Sequence, residues 1–355
     1  MITFIRRIEN LEYMEAVKLL ADRCGLELPM DSDQSDARSM LKKRVLEINR
    51  ESARFFHSCL MSEQGRQAYE YLISRGRDRK TIRHFGLGYA PAGWDGLLNH
   101  LRAKGFSDND MLEANVVTKG KYGPHDRFSN RVIFPIIDLR GNVVAFGGRA
   151  LDDKGAKYLN SSDTPVFKKS KTLFALNFAK KSQTRRYILC EGNLDAISMH
   201  QAGFTTAVAG CGTALTAEQV KILSEYADEV VLCYDSDEAG QKATRRAISL
   251  LSVSPLKISV LNIPDAKDPD EFIKKFGAER FEMLLNGSNN AIEYELLQAK
   301  GKYDIATPDG RLNYIKDAIG VLAGRITPTE RDVYAGRLAE ETNISKTCLL
   351  YTSDA

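Results

Sequence analysis

Several signatures that would fix a protein's class are missing from this 355-residue chain. No apolar run approaches the ~18 residues that a membrane-spanning helix needs. The opening residues 1–10 carry charge where a secretory leader would carry an apolar core. Membrane insertion and export are therefore not expected, and the chain reads as cytoplasmic. Its six cysteines, Cys24, Cys59, Cys190, Cys211, Cys233 and Cys348, are widely scattered and contain no C-x-x-C pair of the kind that zinc sites use. They read as reduced thiols. Cys190 and Cys233 lie inside apolar runs and read as small core hydrophobes. No internal repeat and no low-complexity tract interrupts the chain. At this length it predicts two or three packed units, each with a core of its own.

What is present is a strong charge polarity. The net charge is only +3, yet residues 115–186 hold fifteen Lys/Arg against five Asp/Glu, a net of +10 that leaves −7 for the rest. Such a division suits a protein that holds a polyanion with one region and cations with another; a solvated charged face is the plain alternative.

Taken in order, residues 4–26 carry apolar side chains at steps of three, from Ile5 to Leu20, and predict a short helix or helical pair ending at Gly25. Residues 31–40 are rich in Ser and Asp and read as a linker. Helical periodicity returns over 41–60 and 64–74. Residues 82–91 have the glycine and aromatic content of a strand with turns, and 94–104 look helical. Arg131 to Asp138 and Val143 to Arg149 are β-like on either side of a turn at Arg140-Gly141-Asn142, which predicts a hairpin with basic ends. Residues 157–169 are polar, basic and interleaved with aromatics, as in a binding loop or an ordinary exposed connection. From Tyr187 short apolar runs alternate with helical segments: strands near 187–190, 206–209, 230–234 and 257–263, helices near 195–201, 216–226, 238–251 and 270–276. That alternation predicts a parallel, doubly wound sheet. Beyond Gly277 the pattern is helical, and residues 348–355 continue no pattern.

Acidic residues recur where these strands end. Glu191 follows the first run, Asp235 and Asp237 follow the third, and Asp268 and Asp270 follow the fourth; Asp195 lies four residues past Glu191. In an open parallel sheet ligands bind beyond the carboxyl ends of the strands, so these acids are expected to converge on one rim. Clustered carboxylates raise one another's pKa unless a cation neutralises them. Hard oxygen donors favour Mg²⁺ or Mn²⁺ together with substrate phosphates. Individually, Asp268 and Asp270 could cap a helix and Asp195 could simply favour a helix N-terminus; the recurrence of acids at three strand ends is what capping alone does not explain.

Glu191-Gly192 followed by Asp235-Ser236-Asp237 resembles the Toprim pattern of a strand-end E-G and a later D-x-D. Residues 84–91, Asp126-Arg127-Phe128 through Phe146-Gly147-Gly148-Arg149, and Lys157-Tyr158-Leu159-Asn160-Ser161 through Lys171 resemble the basic subdomain of bacterial DnaG-type DNA primases. The resemblance covers about 4–345 and implies an α/β fold with α+β parts: a Toprim-type parallel sheet flanked by helices (185–276), a mixed α+β basic subdomain before it (41–184) and a helical subdomain after it (277–355). Residues 1–30 would be the tail of a missing zinc-ribbon domain, so no zinc is expected in this chain, and the C-terminal helicase-binding domain is expected to be missing as well. The resemblance further implies RNA primer synthesis at the replication fork of the bacterial cytoplasm, with single-stranded DNA as template, ribonucleoside triphosphates as substrates and an RNA primer–DNA hybrid as product. Glu191, Asp235 and Asp237 would be the catalytic, metal-holding acids, completed by Asp195, Asp268 and Asp270, with Mg²⁺ or Mn²⁺ as cofactor. Arg131, Arg149, Lys157 and Lys169 would face template and nucleotide. The replicative helicase would be a partner only through the absent domain, and no membrane is involved. Two other readings stay open: Toprim-dependent DNA cleavage, and a non-catalytic single-strand-binding module.

Overall fold

A computed structural model describes residues 1–2, 5, 13–26, 33–152, 155–323 and 327–353. Helix α1 (Tyr13–Cys24) precedes a long helix α2 (Asp33–Leu60), followed by α3 (Arg66–Ser74) and α4 (Arg79–His84). Of the expected helical stretch 4–26, residues 4 and 6–12 lie outside the described residues. The expected linker 31–40 is corrected, because α2 already begins at Asp33. Short polar residues favour helix starts as much as loops, so composition did not separate the two.

Strand β1 (Gly88–Ala90) leads through α5 (Gly96–Ala103), α6 (Asp108–Glu113) and the small hairpin β2 (Val117–Gly120) and β3 (Gly123–Asp126). Strands β4 (Arg131–Ile137), β5 (Val143–Ala150) and β6 (Tyr158–Asn160) then complete an antiparallel sheet in the order β1-β4-β5-β6. The β4–β5 hairpin expected from sequence is its centre. Residues 82–91 are only partly a strand: α4 occupies 82–84, and the strand itself is three residues long.

The second sheet joins β7 (Leu173–Phe174), β8 (Arg186–Cys190), β9 (Ala207–Gly210), β10 (Glu229–Cys233), β11 (Lys257–Val260) and β12 (Asn289–Asn290) in the order β12-β11-β10-β8-β9-β7. Its four central strands are parallel, as expected, while β7 and β12 are antiparallel edges. Two-residue edges are too short to leave a period. The helices are α7 (Leu176–Ala179), α8 (Asn193–Gln201), α9 (Ala217–Tyr226), α10 (Glu238–Leu251) and α11 (Pro269–Phe276).

Strand alternation sends alternate residues to opposite faces. Tyr187, Leu189, Val230 and Leu232 join one core. Ile188, Cys190, Val231 and Cys233 join another, which runs without a break to Leu60, Val132 and Phe134 of the preceding subdomain. Burying side chains of this size stabilises by about 1.5–3 kcal/mol each, so the two sheets are held in one fixed relation. That shared core positions the site. Helices α12 (Ala278–Asn286), α13 (Ala291–Lys300), α14 (Pro308–Leu322), α15 (Pro328–Thr342) and α16 (Lys346–Ser353) follow, the last four around a separate core of Leu296, Tyr314, Leu338 and Leu349. The absence of pattern expected after Cys348 is thus corrected, since Leu349 on α16 is buried there. Eight residues are barely two helical turns, too few for a period to show. Among the described residues no helix is long and apolar enough to cross a membrane.

Candidate active site

The acids are brought together by sheet register. Cys190 of β8 pairs with Cys233 of β10, so Glu191 and the Tyr234-Asp235 step leave the sheet side by side. On the other flank, the Ser236 amide donates to the Lys267 carbonyl (3.2 Å), and its hydroxyl donates to the same oxygen (3.2 Å). This stitch draws Asp268 beside Asp235. Asp237 caps α10, its Oδ1 accepting the Gly240 amide (2.9 Å), and Asp268 caps α11, its Oδ1 accepting the Glu271 amide (2.8 Å). Capping is therefore real at Asp237 and Asp268, and it engages one oxygen of each. Asp195, in the first turn of α8, accepts the Gly192 amide at 3.1 Å.

Charge accumulates here. Burial, then the charges of Asp268 and Asp235, push the Asp195 carboxyl up to about 7 against the pull of the Gly192 amide. Burial, then the charges of Glu191, Asp268 and Asp237, push Asp235 up to about 6, opposed by Lys267. Both groups are in the situation a cation would relieve. Among the described residues no three acids are close enough to form a finished ion cage, but a Mg²⁺-type ion needs only one or two carboxylates and completes its shell with water and phosphate. The donor set fits such an ion.

Asp270 departs from the expected set. Arg77 Nη2 and Ser198 Oγ both donate to its Oδ1, the latter at 2.5 Å, and Lys274 Nζ donates to Oδ2 at 2.6 Å. Burial alone would raise this carboxyl, but Lys274, Ser198 and Arg77 outweigh it and hold it below its usual range. Its charge is already compensated.

The basic sheet closes on the acids from the other side. Arg149 on β5 pairs in register with Tyr158 on β6. Its guanidinium lies between two rings, 5.1 Å from the centre of Tyr158 and 5.5 Å from that of Tyr71, and Nη1 donates to the Tyr158 hydroxyl at 2.5 Å. Tyr158 also feels the Asp195 charge. A Cβ at Gly147 would stand 2.8 Å from Asn160 Oδ1 and 3.0 Å from Asn193 Nδ2, so glycine lets β5 approach the start of α8, two residues past Glu191. Lys169 sits on a turn fixed from α9: Gln219 Nε2 donates to the carbonyls of Lys169 (3.0 Å) and Thr172 (2.8 Å), and Thr216 Oγ1 donates to that of Ser170 (2.6 Å). Lys157 is exposed at the head of β6. Arg131 is not; it is 9 % exposed, with Nη1 donating to the Ala156 carbonyl at 2.8 Å, and burial lowers its pKa. Sequence reading missed Tyr71, Asn160, Gln219 and Arg77. Only Gln219 carried a signal, as the third residue of the Thr216 capping box.

Three family descriptions match the chain: "DNA primase catalytic core, N-terminal domain" over residues 55–180, "Toprim-like" over 188–273 and "DnaB-helicase binding domain of primase" over 292–347. The DNA primase of Clostridium acetobutylicum is 40% identical over 345 residues, 97% of this chain and 57% of the relative. The RNA polymerase domain of Mycobacterium tuberculosis primase DnaG, solved with a double-stranded DNA oligomer bearing a 6-nucleotide overhang, superposes with a TM-score of 0.76 at 33% identity, covering 85% of this chain and 98% of that one. The chain belongs to the DnaG-type DNA primases. The Aquifex aeolicus primase, solved as its zinc-binding and RNA polymerase domains, agrees at TM-score 0.71 and 34% identity, over 99% of this chain and 83% of that one. This primase-family chain spans little more than half the length of the Clostridium relative. The expectation that a helicase-binding domain is missing is overturned by the match over 292–347, which takes in α13 to α15. A helical bundle with no motif of its own had given the sequence reading nothing to assign.

Proposed function

We propose that this chain carries the RNA-synthesising centre of a DNA primase, extending ribonucleotide primers on single-stranded DNA by metal-dependent nucleotidyl transfer. The carrying observation is that Glu191, Asp195, Asp235 and Asp268 share one charged rim and that the Asp195 charge reaches Tyr158 of the Tyr71–Arg149–Tyr158 stack.

In this reading Glu191, Asp235 and Asp237 hold Mg²⁺ or Mn²⁺, with Asp195 and Asp268 beside them. A bound divalent ion supplies charge stabilisation at the transferring α-phosphate and a lowered pKa for the attacking 3′-hydroxyl. Glu191, exposed at the strand end, is the first candidate to accept that hydroxyl's proton as pyrophosphate leaves. Lys157 and Lys169 neutralise triphosphate or template charge. Arg149, braced by two tyrosines, offers a flat cation on which a base or phosphate is oriented. Arg131, being buried, shapes the sheet from within. Residues 292–347 are the proposed contact to a replicative helicase.

The test supplies single-stranded DNA with an annealed RNA primer, ribonucleotides and Mg²⁺ or Mn²⁺, and compares wild type with Asp235→Asn and Glu191→Gln. Extension in wild type that is lost in both variants supports the reading. Nicked DNA without RNA growth would replace it with strand cleavage, and DNA binding without any product would replace it with a passive module.

A further inference from the structure

We propose that Arg77 and Asp270 form a positioning clamp that registers the acidic rim against the basic subdomain, and that Asp270 works there and not as a cation ligand. The inference rests on the nucleotidyl-transfer reading for its kinetic consequence, but its geometry stands apart from it.

Arg77 lies in the turn between α3 and α4 with its side chain only 2 % exposed, and Asp270 is 11 % exposed. A guanidinium does not deprotonate in proteins, so a charge buried this deeply needs a fixed counter-charge. Its Nε and Nη2 donate to the Arg75 carbonyl (3.1 and 2.9 Å), and Nη1 has no partner among the described residues. Asp270 therefore carries the compensation, 193 positions away in sequence. Ser198 from α8 and Lys274 from α11 complete the node.

A second fastening lies beside it. Gln201, at the end of α8, donates from Nε2 to the Gly76 carbonyl (2.7 Å) and accepts the Asp78 amide on Oε1 (3.0 Å). One turn of chain, 76–78, is thus tied to both helices that carry rim acids: Asp195 at the start of α8 and Asp268 as the cap of α11. On its other side the same turn continues from α3, whose Tyr71 braces Arg149. Moving the turn moves the stack relative to the acids.

The test combines Mn²⁺ binding by electron paramagnetic resonance, amide exchange, and primer extension, all on the full chain. Asp270→Asn is expected to leave Mn²⁺ affinity within about threefold of wild type, whereas Asp235→Asn weakens it at least about tenfold, the scale for loss of a metal-supporting group. Where Asp270→Asn folds poorly, Arg77→Met/Asp270→Leu removes both charges together, a change buried pairs tolerate, and it too is expected to keep the Mn²⁺ affinity. Arg77→Met is expected to speed exchange of the Asp78 amide and to lower kcat about tenfold with nucleotide KM unchanged, the signature of misplaced reacting groups; Arg77→Lys recovers part of the loss. Mn²⁺ affinity lost in Asp270→Asn and in the double variant as in Asp235→Asn would overturn the assignment, as would unaltered Asp78 exchange and kcat in Arg77→Met. If wild type extends no primer, the nucleotidyl-transfer reading fails by itself, and the Mn²⁺ and exchange measurements still decide the clamp.

Discussion

Replacing Asp195 by Asn should stabilise the metal-free protein while removing part of its response to metal. The carboxyl rises from 3.8 to about 7 on folding, through burial and the charges of Asp268 and Asp235. Between those two values the folded state binds more protons than the unfolded state, so stability falls as pH rises through the window, and the full penalty is present above pH 7. At about 1.4 kcal/mol per pH unit the shift corresponds to about 4 kcal/mol; screening and relaxation at a rim open to solvent reduce this to about 1–3 kcal/mol. Asn keeps an acceptor for the Gly192 amide, which Asp195 holds at 3.1 Å, and removes only the charge. For a chain of this size the gain is a Tm higher by about 2–8 °C. The assay is thermal unfolding in a chelating buffer at pH 8 and pH 5, then at pH 8 with added Mg²⁺. The variant should exceed wild type at pH 8, exceed it by only roughly 40% of that margin at pH 5, and gain less from Mg²⁺. An Asn variant less stable than wild type at pH 8, or an equal difference at both pH values, would refute the reasoning.

Three further outcomes follow from other parts of the molecule. His200 is held neutral, its pKa lowered to about 4 by burial, with Nε2 donating to the Ala207 carbonyl at 2.8 Å; the unfolded state takes the proton first, so stability falls by up to about 3 kcal/mol as pH drops from 6.5 to 4, and denaturant titrations of His200→Gln should show a flatter pH profile. A Cβ at Gly240 would stand 2.0 Å from the Asp235 carbonyl oxygen, so Gly240→Ala must displace the Asp235 turn; calorimetric titration should show Mn²⁺ affinity reduced by about tenfold or more, and unchanged affinity would sink that inference. Lys157→Ala and Lys169→Ala should each lower the slope of log K against log salt for single-stranded DNA by about 0.7, as read by fluorescence anisotropy; an unchanged slope would place that lysine off the nucleic-acid path.

The second sheet was legible because parallel strands buried on both faces leave near-continuous apolar runs, and each expected strand and helix between Tyr187 and Phe276 is found within a few residues. Thr216 and Asp268 announced their helices by side-chain chemistry that acts within three residues. What stayed hidden is long-range. No local pattern could reveal that Asp270 meets Arg77, or that Tyr71 braces an arginine 78 positions later. Burial of Arg131 was equally invisible, since a basic residue at a strand end looks the same whether it points to solvent or inward. The start of α2 failed for a different reason: Ser and Asp serve caps, first turns and loops alike, so their density does not mark which one is present.

The central claim, that the strand-end acids and the basic sheet form one nucleotidyl-transfer site, is tested most directly by crystals of the chain grown with Mn²⁺, a ribonucleoside triphosphate and primed template. The account predicts anomalous Mn²⁺ density bounded by Glu191 and Asp235, triphosphate density between that ion and Lys169 or Lys157, and none against Asp270. Manganese bound elsewhere in a protein that still extends primers, or a nucleotide seated away from Arg149 and the acidic rim, would contradict it.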